Sequence, residues 1–402
     1  MASADYTMTY TLSVFHDLYS LFPEWTSLRT WLESDEGGFL KIIDNDPCAP
    51  PNHVIVRYEK GVSNLDLPHV RWFRSVVWNT LTNRPVCVAP PKAMASSSEG
   101  QGTHLRYEEF LEGFMLNLYL SSEGSDEVIM VSRSNFNATG TFYSPKQFNE
   151  LFREAVPEGF NVRNYIPSGM TFASLLVQHP EHRVVHRVTT PAIYQIHVGR
   201  VTSEGYVEIL EEHLPYGPPT LEPPTDGEQL AEYVARLAVI RGWGWQGIVC
   251  KDGAGGRLRA RSATYQMVRS LRGNTTRNDV RFVQLYQANL IDTYLYYYPE
   301  EAPIFGICKQ RLRTTVKLLY DRYVRYHITK TLKQEEVEHM WRPHLFHLHG
   351  KYLYTLRSRG HFIREKDVWE YAMGLPWQQL LFIMNRRETA PAYMPVTTTG
   401  SV

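Results

Sequence analysis

The chain has 402 residues, of which 43% are hydrophobic and 13% aromatic, so it can form one large domain or two, and its composition excludes an intrinsically disordered protein. Its net charge is zero, yet the part from Glu301 onward carries 16 Lys and Arg against 9 Asp and Glu and is +7, which leaves −7 for the preceding residues. This balance argues against strong non-specific nucleic-acid binding by the whole chain and indicates a local basic surface in its C-terminal part.

The cysteines favour a reducing compartment. Cys48, Cys87, Cys250 and Cys308 lie far apart without CxxC spacing, which argues against a zinc ribbon and against a disulfide scaffold. We therefore expect an intracellular, cytoplasmic protein. The N-terminal sequence has no basic segment followed by an apolar core, so no signal peptide is predicted. No run of about 18 apolar residues occurs, so no membrane partner is expected.

Periodicity and turn residues predict the elements in chain order. The first 45 residues are predicted as one or two helices, ended by the prolines of 46–53. Strands are predicted over 53–60, 84–90, 113–120, 127–134, 171–178, 183–188, 193–201 and 247–252, with a further strand and a turn within 71–83. Helices are predicted over 144–156, 227–242, 308–332, 366–374 and 376–385. The small and polar residues of 93–104 predict a mobile loop.

The change from strand to helical periodicity near residue 275 predicts an α+β protein with more than one domain. We expect an N-terminal helical segment over 1–50, a mixed α+β domain over 51–275, a smaller helical domain over 276–388 and a flexible tail over 389–402.

Five stretches in a fixed order suggest what the mixed domain is. They are 108-EEFLEGFMLNLYL-120, 131-VSRSNF-136, 180-PEHRVV-185, 246-QGIVCKD-252 and 259-RARSATY-265. In this order they resemble the motifs of covalent nucleotidyltransferases of the RNA ligase 1-like branch, in particular those of large DNA viruses. The resemblance covers about residues 53–275. It implies an ATP-grasp-like RNA/DNA ligase domain with antiparallel sheets, followed by a smaller helical domain.

The residues that depart from this family pattern are those that carry its chemistry. Phe110 stands where the family has its nucleophilic lysine, and a phenyl ring cannot form a phosphoramidate. Leu176 replaces the ribose-binding glutamate and Gln246 the metal-side glutamate. The resemblance therefore implies a degenerate member that does not act as an enzyme, with no catalytic residue, no metal site and no required cofactor. ATP and Mg²⁺ are expected only if activity is retained.

Four other positions match the family by residue type. Glu112, Arg133, Arg259 and Arg261 are carried over as nucleotide- or phosphate-binding residues, with a structural ion-pair network as the alternative for the arginines. Phe110 either fills the former nucleotide cleft or stacks on a base. A relocated nucleophile is a further alternative, for which Lys60 and Lys92 are the candidates.

The predicted helix over 308–332 is basic and rich in tyrosine. Its cations are Lys309, Arg311, Arg313, Lys317, Arg322 and Arg325, which predict a surface for RNA or DNA phosphates or a solvated helix face. Tyr320, Tyr323 and Tyr326 either stack bases or face the core. His344, His347 and His349 lack a Cys or carboxylate partner at a known spacing, so no metal site is predicted there.

Three functional hypotheses follow. The first is a catalytically degenerate RNA ligase-like protein that serves as a binding or structural module, with nucleic acid or nucleotide phosphates as the ligand. The second is a virion or capsid-associated protein of a large DNA virus that reuses the fold and contacts other virion proteins. The third is an active RNA ligase with a displaced lysine nucleophile.

Overall fold

The computed structural model describes residues 8–95, 106–122, 125–212, 214–225 and 227–385. The chain divides into two compact units, Met1–Arg269 and Ser270–Val402. The division lies close to the predicted end of the mixed domain at residue 275. The predicted mobile loop lies largely outside the described residues, and the predicted tail lies wholly outside them.

The strands all lie in the N-terminal unit. They are β1 (Tyr10–Leu12), β2 (Lys41–Ile43), β3 (His53–Arg57), β4 (Val76–Asn79), β5 (Arg84–Val88), β6 (Met94–Ala95), β7 (Arg106–Glu109), β8 (Phe114–Leu120), β9 (Val128–Val131), β10 (Phe172–Gln178), β11 (Ala192–Val201), β12 (Val207–Leu210), β13 (Thr220–Leu221), β14 (Gly247–Lys251) and β15 (Arg257–Arg261).

Eleven α-helices occur in the described part of the chain. They are α1 (Val14–Leu21), α2 (Trp25–Leu32), α3 (Phe148–Ala155), α4 (Leu230–Arg241), α5 (Ala263–Arg272), α6 (Asn278–Gln287), α7 (Ile291–Tyr297), α8 (Ala302–Tyr323), α9 (Arg342–Lys351), α10 (Glu365–Met373) and α11 (Trp377–Asn385). Two π-helical turns, Val324–Ile328 and Tyr352–Leu356, directly follow α8 and α9. None of the described helices combines the length and the apolar composition that crossing a bilayer requires.

The first sheet is antiparallel and has the strand order β1-β12-β11-β10-β8-β9. All seven residues of β10 are buried, as expected for a strand whose two faces are both covered. One face packs against α3 through residues such as Leu116, Leu175 and Phe152. On the other face, Tyr119 and Phe172 join the core of the third sheet. The apolar runs of the sequence therefore form a layered core.

The third sheet, β2-β3-β4-β5, is antiparallel and carries the N-terminal helices. Phe15 of α1 packs edge-on against Phe73, with 5.5 Å between the ring centroids, and Leu28 of α2 is fully buried in the same core. Since β1 pairs with β12 and β2 pairs with β3, residues 8–50 are part of the N-terminal unit and do not form a separate helical segment.

The second sheet has the order β13-β7-β14-β15-β6, and all its pairs are antiparallel except β15 with β6. Its apolar face consists of Tyr107, Ile248, Cys250, Leu258 and Ala260, which pack around Tyr233 and Val234 of α4. Strand alternation places Arg106 and Glu108 of β7, Lys251 of β14 and the three arginines of β15 on the opposite face. That charged face positions the candidate site.

The C-terminal unit contains only helices in its described residues, and α8 packs against α6, α9, α10 and α11. Glu301 is its ionic centre. The carboxylate binds the guanidinium groups of Arg272 and Arg281 and accepts a hydrogen bond of 2.8 Å from the Tyr294 hydroxyl. The predicted fold class is thus confirmed as α+β with antiparallel sheets and a smaller helical unit.

Two predicted elements are wrong in an informative way. Residues 183–188 form a loop and not a strand, because their backbone N–H groups donate to the carboxylate of Glu112. The predicted helix over 308–332 begins earlier and ends its α-helical part at Tyr323, after which the backbone widens into a π-helical turn. All four cysteines are free thiols, and Cys48 alone of them is exposed.

Gly113 is required by close packing between β8 and β10. A Cβ atom at this position would lie 2.4 Å from the carbonyl oxygen of Val177 and 2.9 Å from the side chain of Leu176. Gly113→Ala is therefore expected to lower the free energy of unfolding by about 1–3 kcal/mol. Gly140→Ala is the control, because its Cβ would make only ordinary contacts at 3.5 Å. Equal denaturant midpoints for the two variants would contradict this account.

Candidate anion-binding site

The candidate site is built on the charged face of the second sheet. Its members are Arg106 and Glu108 on β7, Lys251 on β14, and Arg257, Arg259 and Arg261 on β15. They share one face because directly paired residues, such as Lys251 with Arg257, point the same way. Positive charges outnumber negative ones on this face.

Part of that charge is neutralised in a buried ion network around Glu211, which follows β12. Its carboxylate lies 3.2 Å from Lys251 Nζ and 2.8 Å from Arg257 Nη1, and Lys251 Nζ is also 2.9 Å from Glu108. Burial opposes ionisation of Glu211, but Lys251 and Arg257 outweigh it and hold the pKa of the carboxyl well below its usual range. These groups satisfy one another and are structural.

Arg74 lies just before β4 and differs from these paired groups. No hydrogen-bond acceptor and no carboxylate binds its guanidinium in the described part of the chain. The pKa of Arg74 is lowered to about 10, first by burial and further by the positive charges of Arg257, Arg133 and Arg259, against an opposing effect of Tyr58. An arginine remains protonated at neutral pH, so a cation is held here without compensation.

Other cations gather around the same point. The Arg133 guanidinium lies 4.7 Å from the centroid of the Tyr58 ring and Lys92 Nζ lies 5.9 Å from it. Burial lowers the pKa of Lys92, and the charges of Arg259, Lys60 and Arg71 lower it further. We call the group around Tyr58 the basic cluster, and its members are Lys60, Arg71, Arg74, Lys92, Arg133 and Arg259. Within the described ranges none of the six forms an ion pair.

The structure thus brings together four of the predicted site residues, Lys60, Lys92, Arg133 and Arg259. Arg133 also donates a hydrogen bond of 2.8 Å to the carbonyl oxygen of Tyr58, which fixes its position. Sequence reasoning missed Arg71, Arg74 and Tyr58. A usable signal was present, because residues 67–98 contain four Lys and Arg but no Asp or Glu.

Phe110 lies beside this region, at the end of β7, and is half-buried. Its backbone N–H donates to the carbonyl oxygen of Gly247 at 2.9 Å. The guanidinium of Arg261 lies 5.2 Å from the centroid of the Phe110 ring, within the range of a cation–π contact. The position that the resemblance assigns to a lysine therefore holds a ring paired with an arginine.

Glu112 has its carboxylate turned into the protein. It accepts hydrogen bonds from the backbone N–H groups of Val184 at 3.0 Å, Val185 at 2.8 Å and His186 at 3.2 Å, and from the Tyr265 hydroxyl at 2.7 Å. Burial and the negative charge of Glu112 raise the pKa of Tyr265. The carboxylate joins three segments of the fold, and its lone pairs are used internally.

The other two degenerate positions are buried. Leu176 lies within β10, against Gly113. Gln246 precedes β14, and its carbonyl oxygen accepts a hydrogen bond of 3.1 Å from the backbone N–H of Ser262. Neither side chain offers a carboxylate, which is the ligand that Mg²⁺ prefers.

One group of three possible metal ligands occurs among the described residues, namely Glu154, His179 and Glu181. The ammonium group of Lys146 lies 2.8 Å from Glu154 and 2.6 Å from Glu181, so it already bridges the two carboxylates and offsets one of their two negative charges. In the structure this group is an ion-pair cluster in which Glu154 and Glu181 are exposed and His179 is buried.

The three histidines of α9 contact different neighbours and do not converge on one point. His344 Nδ1 lies 2.7 Å from the Tyr371 hydroxyl, His347 stacks on the ring of Tyr371, and His349 stacks on His327 with 3.9 Å between the ring centroids. Their neighbours are thus aromatic rings.

The predicted basic helix divides into paired and unpaired cations. Arg322 lies 3.5 Å from Glu338 and over the Trp341 ring, Arg325 lies 3.8 Å from Asp321, and Arg311 donates to Asn385 at 2.9 Å. Lys309, Arg313 and Lys317 are exposed and form no ion pair within the described ranges. Tyr323 is buried and therefore belongs to the core.

Comparison with known proteins gives no assignment. No protein-family model matches this chain and no curated protein matches it. The functional interpretation therefore depends on the basic cluster and on the residues next to it.

Removal of the Glu112 carboxylate is expected to be costly for stability. Glu112→Ala leaves three backbone donors and a tyrosine hydroxyl without an acceptor, so we expect the free energy of unfolding to fall by about 3 kcal/mol or more. Tyr265→Phe removes one of the four hydrogen bonds and is expected to cost about 1 kcal/mol. Urea unfolding of both single variants and the double variant measures this. If the free-energy losses of the two single variants simply add in the double variant, the hydrogen bond between Glu112 and Tyr265 is contradicted.

The stacked histidines predict a pH dependence. Burial, with smaller effects of His349 and Lys330, lowers the pKa of His327 to about 4, against about 6.5 in an unfolded chain. Below about pH 6.5 the unfolded state takes up the proton first, so stability falls as pH falls towards 4.

At about pH 5 the expected loss from His327 is about 2 kcal/mol relative to about pH 7. His327→Gln should flatten this part of the stability curve, whereas the exposed control His361→Gln should leave it unchanged. Calorimetric unfolding at the two pH values checks the expectation. The same slope in wild type and His327→Gln would show that other groups cause it.

Proposed function

We propose that this chain is a degenerate RNA ligase-like protein that binds the phosphates of a nucleotide or of RNA without attaching a nucleotide to itself. The uncompensated guanidinium of Arg74 inside the basic cluster carries this proposal. The order of the five motif-like stretches supports the link to the RNA ligase 1-like branch, and with it a nucleotidyltransferase type of sheet domain.

The chemistry of the basic cluster matches phosphate. Arginines bind phosphate oxygens through paired N–H groups, and such charge-assisted hydrogen bonds are about twice as strong as neutral ones. Arg74 and Arg259 supply guanidinium groups without a carboxylate partner in the described residues, and Lys92 adds an ammonium group. A multiply charged anion would remove the mutual repulsion of these groups.

The residues argue against nucleotidyl transfer through the usual position. Phe110 has no nucleophile, Leu176 and Gln246 have no carboxylate, and the carboxylate of Glu112 is used by the fold. Binding and catalysis are separable here, because the positive charges are retained and the reacting groups are absent.

One observation favours a second candidate function, an active ligase with a relocated nucleophile. The pKa of Lys92 is lowered by burial and by neighbouring cations, which is the way in which proteins make an amine nucleophilic. Of the two alternative lysines, the structure gives this reason for Lys92.

Arg74→Gln is expected to weaken the binding of inorganic triphosphate and of ATP at least about tenfold, because a charged hydrogen bond contributes about 1.5–3 kcal/mol. Isothermal titration calorimetry without divalent metal measures it. Arg153→Gln, on the exposed side of α3, is the matched control and should bind as wild type. Equal affinities for wild type and Arg74→Gln, or no binding by wild type, would rule out the proposed site.

Intact-protein mass spectrometry after incubation with Mg²⁺ or Mn²⁺ and ATP or GTP distinguishes the two candidates. We expect no mass increase of one nucleoside monophosphate. An adduct that is lost in Lys92→Ala and kept in Lys60→Ala would overturn the non-catalytic proposal and identify the relocated nucleophile.

A further inference from the structure

Helix α8 in the C-terminal unit has three distinct faces. One face is buried in the core of the unit through Cys308, Leu312, Val316 and Leu319. The second consists of the exposed cations Lys309, Arg313 and Lys317, which we call the basic stripe. The third borders a groove. Because 3.6 residues make a turn, residues spaced four apart lie on one side of the helix, which keeps the basic stripe on a single face.

The groove has a volume of about 870 Å³ and an apolar floor formed by Ile307, Leu318, Met340, Trp341, Ile383 and Met384. Its size is that of a binding pocket for a side-chain cluster or a ligand. Ile307 is 56% exposed, so part of the apolar surface of the groove is open to solvent.

The acidic residues at the groove are already paired. Asp279 lies 2.7 Å from Arg277 Nη2 and accepts a hydrogen bond of 2.7 Å from Asn385, while Glu338 lies 3.5 Å from Arg322. The basic stripe has no such compensation within the described residues. The uncompensated charge next to the apolar floor is therefore positive.

The stripe has an unfavourable arrangement in the isolated protein. Its residues are spaced four apart, which places successive charges about 6 Å from each other along the helix, and like charges at this spacing destabilise a helix. An anionic partner laid along α8 would convert this repulsion into attraction.

We propose that this surface binds an acidic amphipathic helix of a partner protein. Apolar side chains at positions i, i+3 or i+4, and i+7 of the partner would enter the groove, and its flanking carboxylates would meet the basic stripe. A nucleic acid would satisfy the stripe but not the apolar floor, since Trp341 is buried and offers no exposed ring for stacking. The inference is independent of phosphate binding by the N-terminal unit.

A peptide-display selection with a random library on the full chain tests the proposal. The selected peptides are expected to be acidic and to repeat apolar residues at helical spacing. A synthetic peptide of the most enriched sequence should bind at least about tenfold more weakly to the variant Lys309→Glu, Arg313→Glu, Lys317→Glu, and to Ile307→Asp in the groove.

The matched control reverses three exposed charges elsewhere in the same unit, Arg357→Glu, Arg359→Glu and Lys366→Glu, and should bind the peptide as wild type does. Arg74→Gln should also bind it normally, so that failure of one proposal can be told from failure of the other. A selection that yields no binder, or binders without the acidic and apolar pattern, would overturn the inference. So would an RNA oligonucleotide that binds in place of peptide and is lost in the stripe variant.

Discussion

The carboxylate of Glu211 is the point at which the three sheets of the N-terminal unit are tied together. It follows β12 of the first sheet and binds Lys251 and Arg257 of the second. His197 Nδ1 lies 3.2 Å from the same carboxylate, and His197 Nε2 donates to the carbonyl oxygen of Val88 in the third sheet at 2.9 Å. An isolated charge at this depth would cost several kcal/mol, so all partners must be in place together.

This constraint explains why some cations on the charged face of the second sheet remain without an acidic partner. Two buried carboxylates, Glu108 and Glu211, bind Arg106, Lys251 and Arg257. Among the described residues, no buried acid pairs with the cations farther along β15. The same sheet therefore has a structural end, where charges cancel, and an open end at Arg259 and Arg261, where they do not. Arg259, at this open end, is the residue that the second sheet contributes to the basic cluster.

The sequence was informative where a residue's surroundings are local. Short apolar runs bounded by turn residues identified the buried strands β8, β10 and β14. The sequence was uninformative where a group distant in the chain determines the backbone conformation. The segment 183–188 has residues typical of a strand, but the carboxylate of Glu112 accepts hydrogen bonds from its N–H groups, and the segment forms a loop. For the same reason the sequence suggested Glu112 as a ligand-binding acid. It gave no sign of Arg74, because whether a charged side chain has a partner depends on residues that only the fold brings close.

Because Arg74 has no counter-ion among the described residues, the stability of the folded state can depend on the anions in the solution. Any anion that binds the native basic cluster and not the unfolded chain adds RT ln(1 + [L]/Kd) to the free energy of unfolding. At an anion concentration one hundred times the dissociation constant this amounts to about 2.7 kcal/mol, a large share of the stability of an ordinary domain. If phosphate is such an anion, as proposed above, the free energy of unfolding of the N-terminal unit is higher in phosphate than in a buffer whose anion does not bind.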